Sequence, residues 1–133
     1  MSTSTQERSF EPDPVAVRSA REFALDVLGD GAGPAADPAF IERLLLVVSE
    51  LATNAVLHAR TEFVVRVSSD DGAVRVAVYD ASSGRPEMGT MDPAAVTGRG
   101  LGIVESLASS WGIDDAEGGK WVWAELVAEE SQA

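Results

Sequence analysis

Residues 44–60, LLLVVSELATNAVLHAR, read as a helix that is apolar on most sides and cut by one narrow polar stripe. Glu50, Asn54 and His58 recur at every fourth residue with Thr53 beside them, so their side chains stack along a single face. A carboxylate and a carboxamide in so apolar a helix are costly to bury unless a polar partner meets them. An ordinary amphipathic helix with a narrow polar side has the same spacing, and spacing alone favours that reading. The rest of the chain decides between the two.

Upstream, Asp37-Pro38 pairs a capping side chain with a proline suited to the first helical turn, so the helix is expected over 38–59. Asp13-Pro14 repeats the signal before a stripe of Val17, Ala20, Ala24, Val27 and Leu28, and the glycines and proline of 29–34 end that helix. Residues 1–12 are polar and read as a mobile tail, with a short edge strand at 8–11 as the alternative. Downstream, Phe63, Val65 and Val67 alternate with Glu62, Arg66 and Ser68, and Asp70-Asp71-Gly72 forms a hairpin turn. In the returning strand Val74, Val76 and Val78 share one face, and by the same parity Asp80 points inward with them. An inward carboxylate at the end of a core strand needs a donor opposite it.

Residues 81–97 are rich in Ser, Gly, Pro and Met and lack periodicity; a loop this long in a small domain is functional or disordered. It leads into Gly98-Arg99-Gly100-Leu101-Gly102 and a helix with Val104, Leu107, Ala108 and Trp111 on one side. A final hairpin joins 113–115 to 120–127 through Gly118-Gly119. Val122, Ala124 and Leu126 face the core there, and Trp121 and Trp123 the other side. Partial cover by the N-terminal segment or a neighbouring strand accounts for the tryptophans; a docking surface is the alternative. The expected organisation is a single domain over 13–127, with 128–133 as a C-terminal tail.

The chain has 133 residues, enough for one domain with its own core, and a formal net charge of −12. That charge argues against a direct nucleic-acid partner or an anionic membrane surface. Without a cysteine and with one histidine, disulfides, thiolate sites and cysteine nucleophiles are excluded, and a His-rich metal site is disfavoured. The first residues, MSTSTQERS, lack an apolar signal core and no run reaches membrane-spanning length, so a cytoplasmic protein is expected.

Three glycines at alternate positions before a helix allow close backbone approach, and a helix start offers unpaired N–H groups at a positive dipole end, which suits phosphates. The Walker sequence is absent, because Gly119-Lys120 is followed by Trp121. The Rossmann fingerprint fails too: Ile103 stands at the third glycine and no strand directly precedes. Asp80 with Gly84 admits two readings: an Asx turn closing a strand, or a carboxylate accepting from an exocyclic amine with space beside it for a flat ring.

Taken in order, SELATNAVLHA, VYDASSG, TGRGLGIVESLASSWG and GGKWVWAEL resemble the words of the GHKL (Bergerat-fold) ATPases, most closely the stand-alone anti-sigma-factor serine/threonine kinases. The resemblance spans residues 15–126. It implies an α+β, two-layer sandwich, with a mixed, mostly antiparallel sheet covered on one face by about three helices. It further implies ATP and Mg²⁺ as cofactors. Asn54 would give a side-chain oxygen to the metal and Glu50 would be the catalytic base. Asp80, with Gly84, would receive the adenine, under a lid of residues 81–97. Gly98, Arg99, Gly100, Leu101 and Gly102 would form the phosphate turn. Arg99 and Lys120 are cations near the triphosphate on this reading, although solvated surface charge explains each of them more simply. His58 reads as packing or hydrogen-bonding at the helix end. Two positions depart from the pattern: Ser82 stands where a glycine is usual, and Trp121 where a threonine often follows the lysine.

The function implied is an ATP-dependent protein kinase that phosphorylates serine or threonine on an anti-anti-sigma (STAS-type) partner and binds a sigma factor, with a homodimer as a further possibility. The alternative is a catalytically silent module whose nucleotide state sets partner affinity. A histidine kinase fits poorly, since no helical pair carries a phospho-acceptor histidine.

Overall fold

In the computed structural model, residues 4–29, 37–58, 62–70, 72–81 and 96–128 are described, those of 96–101 by their backbone alone. Eight elements follow in chain order: β1 Ser4–Phe10, α1 Val15–Leu28, α2 Pro38–His58, β2 Phe63–Asp70, β3 Ala73–Asp80, α3 Val96–Leu107, β4 Ser110–Ala116 and β5 Gly119–Val127. The strands form one sheet in the order β1-β2-β3-β5-β4. Every neighbouring pair is antiparallel, so among the described residues the sheet has none of the parallel pairing a mixed sheet would have. The α+β sandwich expected from the sequence is otherwise the one observed.

Both Asp-Pro signals start helices. Asp13 Oδ1 accepts a hydrogen bond from the Val15 N–H at 3.1 Å, and Asp37 Oδ1 accepts from Ala39 at 3.0 Å. Each satisfies a donor that the first turn would otherwise leave unpaired. Gly29, at φ 86°, ends α1 with its N–H directed at the carbonyls of Leu25 and Asp26.

Strand parity builds the core. Phe63, Val65 and Val67 of β2, Val74, Val76 and Val78 of β3, and Val122, Ala124 and Leu126 of β5 are all buried on the helix side of the sheet. Phe40, Leu44, Val47, Val48 and Leu51 of α2 meet them, and Phe23 and Ala24 of α1 complete the layer. Each fully buried large apolar side chain contributes about 1.5–3 kcal/mol. Because α2 also lies against α1 and α3, it needs apolar residues well beyond one stripe.

Further expectations change. The third helix ends at Leu107, so Ala108 lies beyond it and Trp111, expected on its apolar side, is in β4. Ser4–Phe10, expected as a mobile tail or a strand of 8–11, is a full edge strand paired with β2 from Ser4↔Ser69 to Phe10↔Phe63. Only Phe10 of β1 is buried, so the strand carries no alternation for a sequence reader to detect. The glycine cluster does not precede the third helix: α3 begins at Val96 and takes Gly98, Gly100 and Gly102 inside it. Residues 129–133 of the expected C-terminal tail lie outside the described residues.

Gly119 opens β5 so close to β3 that a side-chain carbon there would overlap the backbone oxygen of Asp80. At Gly102 an added carbon would meet open space. Gly119→Ala should therefore cost about 1–3 kcal/mol through overpacking, seen as a lower urea midpoint at unchanged slope. Gly102→Ala should be neutral or stabilising by up to about 1 kcal/mol, because alanine is the better helix former. Equal midpoints for the two variants would contradict this account.

Candidate functional site

Register alone gathers the singled-out residues at one end of the sandwich. Asp80 ends β3 opposite Phe63, where β2 begins, and opposite Lys120, near the start of β5. His58 closes α2 five residues before Phe63, a connection that can span no more than about 18 Å. The C-terminal turns of α2, carrying Glu50 and Asn54, therefore lie toward the Asp80 end. β4 starts at the far end, where Ser110 pairs with Glu125 and Glu125 with Arg75. α3 packs on α2 and delivers the chain to Ser110, so its first turn points back toward Asp80.

Asn54 is 6% exposed, and its Oδ1 is buried with no hydrogen-bond partner. A buried acceptor in that state costs about 1–3 kcal/mol. Such an atom is an available oxygen ligand: it can meet a hard cation such as Mg²⁺, or a donor brought by a bound molecule. The Asn54 oxygen thus suits the hard cation that the sequence pattern implies, and Asn54 is the residue that would hold it. Among the described residues no group of three or more His, Cys, Asp or Glu could hold a metal by itself. Glu50, one turn before Asn54, is partly exposed, so its carboxylate is within reach of an entering molecule. His58, expected to pack or hydrogen-bond at the helix end, is exposed at the last residue of α2, which removes the packing reading.

Asp80 faces inward as parity required, at 3% exposure. The donor it needs is Lys120. The Lys120 Nζ lies 2.8 Å from Oδ1 and 3.1 Å from Oδ2 of Asp80. Lys120 is itself 3% exposed, which overturns the solvated-surface reading of this residue. The missed signal was parity once more, since Lys120 shares its face of β5 with Val122, Ala124 and Leu126. Around this pair, the Tyr79 hydroxyl donates to the Glu117 carbonyl at 3.0 Å and ties the β4–β5 turn to the end of β3.

Helix α3 changes the phosphate turn. Only the first four N–H groups of a helix lack an internal acceptor, so Gly98 lies in that turn while the amides of Gly100 and Gly102 fall within the helical ladder. The side chains of Arg99 and Leu101, together with Gly84, Ser82 and residues 82–95 of the expected lid, lie outside the described residues.

On the opposite face of the sheet, Trp121 and Trp123 are half-buried. The Arg66 guanidinium stands 4.2 Å from the Trp121 ring centre and that of Arg75 4.0 Å from Trp123. Cross-strand arginines of β2 and β3 supply much of the cover expected from neighbouring strands, and this face plays no part in the cluster around Asp80.

Comparison with known proteins agrees with the fold. The family model described as "Histidine kinase-like ATPase domain" matches residues 10–126. No curated protein matches the chain. Among solved structures, the RsbU and RsbW domains of Rv1364c from Mycobacterium tuberculosis align at a TM-score of 0.67 and 22% identity, covering 92% of this chain and 31% of that one. The histidine kinase domain of a blue-light activated histidine kinase from Erythrobacter litoralis aligns at 0.51 and 22% identity, covering 89% of this chain and 61% of that one. The chain thus spans about a third of the first structure's length, and at these identities the two likenesses establish the fold.

An orphaned acceptor costs stability until something binds it. Asn54→Leu, which keeps the branching and removes the oxygen, should leave the ligand-free melting temperature unchanged or raised. The same variant should lose the thermal shift that Mg²⁺ and ATP give the parent protein. A melting temperature several degrees lower without ligand would show that Asn54 is structurally satisfied.

Proposed function

The chain belongs to the histidine kinase-like ATPase domain family, whose fold and ATP-binding character it shares, and from that premise we propose that it is an Mg²⁺-dependent protein serine/threonine kinase of the anti-sigma type. Its substrate on this reading is a hydroxyl of a STAS-type anti-anti-sigma partner, and it binds a sigma factor in the alternate state. The observation that carries the proposal is the unpartnered Asn54 Oδ1, one turn beyond the partly exposed Glu50. The four sequence words and the RsbW domain named in the mycobacterial structure support the regulatory setting.

Each residue has a defined task. Asp80 accepts from the adenine amino group. Asn54 would hold the metal through its amide oxygen, and the metal would supply positive charge to offset that of the phosphates. The first turn of α3, with Gly98 and Arg99, faces the phosphates with its positive dipole end. Glu50 takes the proton of the attacking serine or threonine hydroxyl as the new O–P bond forms and the bond to ADP breaks. No helix among the described residues is long and apolar enough to cross a membrane.

Labelled ATP with Mg²⁺ and a STAS partner tests the assignment. Transfer should occur with the parent protein and fall by about 10²–10⁴-fold in Glu50→Ala, as for loss of a general base, while that variant still binds ATP. Asn54→Ala should lose binding and transfer together. ATP binding without transfer to any STAS partner would replace the kinase by a nucleotide-sensing module.

A further inference from the structure

The carboxylate assigned to the base is already held by a charge of the protein's own. Lys120 Nζ lies 2.8 and 3.1 Å from the two oxygens of Asp80, and both side chains are 4% exposed. A base amine brings one neutral N–H donor to that carboxylate, whereas the ammonium brings charge-assisted donors to both oxygens. An adenine that engages Asp80 therefore has to displace a stronger donor. Strand β5 opens flush against β3, with Gly119 beside the Asp80 carbonyl and the Ala81 Cα. The adjustment thus falls to the lysine side chain, which swings on a flexible four-carbon stem.

The register supplies a place for the ammonium to go. Lys120 pairs with Asp80 of β3 on one side and with Asp115 of β4 on the other. Residues directly opposite in antiparallel strands share a face, with Cβ atoms about 4.5–5.5 Å apart. One ammonium therefore stands between two carboxylates, Asp80 buried and Asp115 exposed on the edge strand. All three residues have a further interaction. A carboxylate has about four lone-pair sites, so Asp115 can accept the ammonium without giving up the partner it has. Resting on the nucleotide reading above, we propose that Lys120 is a two-position autoinhibitory switch. On Asp80 it closes the base site against adenine nucleotides. On Asp115 it releases the lone pairs it held on Asp80 to the base amine, and its charge stays paired in either position.

The dissociation constant for ATP, measured by displacement of a fluorescent ATP analogue with Mg²⁺ present, tests the switch. Lys120→Gln puts one neutral donor on Asp80 and should bind ATP about tenfold more tightly than the parent, the scale of exchanging a charge-assisted hydrogen bond for a neutral one. Lys120→Ser should act the same way and substitutes if the glutamine variant does not melt cooperatively. Lys120→Arg keeps a cation on Asp80 and should bind ATP no more tightly than the parent. Asp115→Asn removes the charge at the second position. It should weaken ATP binding by about two- to fivefold, the scale of an exposed ion pair, and should have no effect when combined with Lys120→Gln. A merely structural lysine would leave ATP affinity unchanged or lower in Lys120→Gln and Lys120→Ser, and that result overturns the proposal. So does an Asp115→Asn effect that is absent from the parent or equal in both backgrounds. If neither the parent nor any variant binds ATP, the nucleotide reading itself falls and takes the switch with it.

Discussion

A carboxylate inside an apolar sandwich is tolerated only where a donor meets it, and here the rest of the site follows from that requirement. Asp80 enters the core because it continues the inward face of Val74, Val76 and Val78. Lys120 enters because it continues the inward face of Val122, Ala124 and Leu126. Strands β3 and β5 are neighbours, so the two charges meet in register and form a buried ion pair. The geometry has to be good for such a pair to break even, since the effective desolvation penalty is several kcal/mol per ion. Distances of 2.8 and 3.1 Å to the two oxygens meet that condition. The near-contact at Gly119 is the local consequence: β5 must begin flush against β3 for Lys120 to reach.

Much of this arrangement was legible before any coordinates. The Glu50–Asn54 stripe, both Asp-Pro starts, the β2–β3 hairpin and the inward aim of Asp80 depend on periods of two and near four, which the residues display openly. What escaped depended on partners distant in sequence. Lysine is rarely buried, so its residue type outweighed its parity. β1 is an edge strand with a single buried residue, and its order comes from pairing with β2, which no local pattern encodes. The glycines of α3 carry a helix penalty of about 1 kcal/mol each relative to alanine, so they read as a loop; packing of α3 against α2 overrides that preference. The tryptophans' arginine cover is likewise a cross-strand effect.

Asn54 shows the converse, a local rule broken in the finished structure. A protein that selected only for stability would place an apolar side chain on α2 there, among Leu51, Ala52 and Ala55. It keeps instead a carboxamide whose oxygen has no partner. Trp123 Nε1, on the other face of the sheet, is the second buried polar atom without a partner among the described residues. What sets Asn54 apart is its place on the apolar helix α2, and departures of this kind are expected at sites that bind something.

The ion pair also sets how a triphosphate would have to be held. With Lys120 committed to Asp80 at the base end, its charge is not available to the phosphates. The chain as a whole carries −12, so its general field opposes an approaching polyanion. On the proposed nucleotide reading, compensation would fall to local groups: the first turn of α3, whose dipole is worth about half a charge, Arg99 within it, and a divalent cation that Asn54 would hold. Of these the cation is the largest charge. On the proposed nucleotide reading, an acidic scaffold whose buried ammonium is engaged by Asp80 should depend strongly on metal for phosphate affinity, with the α3 terminus fixing orientation more than strength.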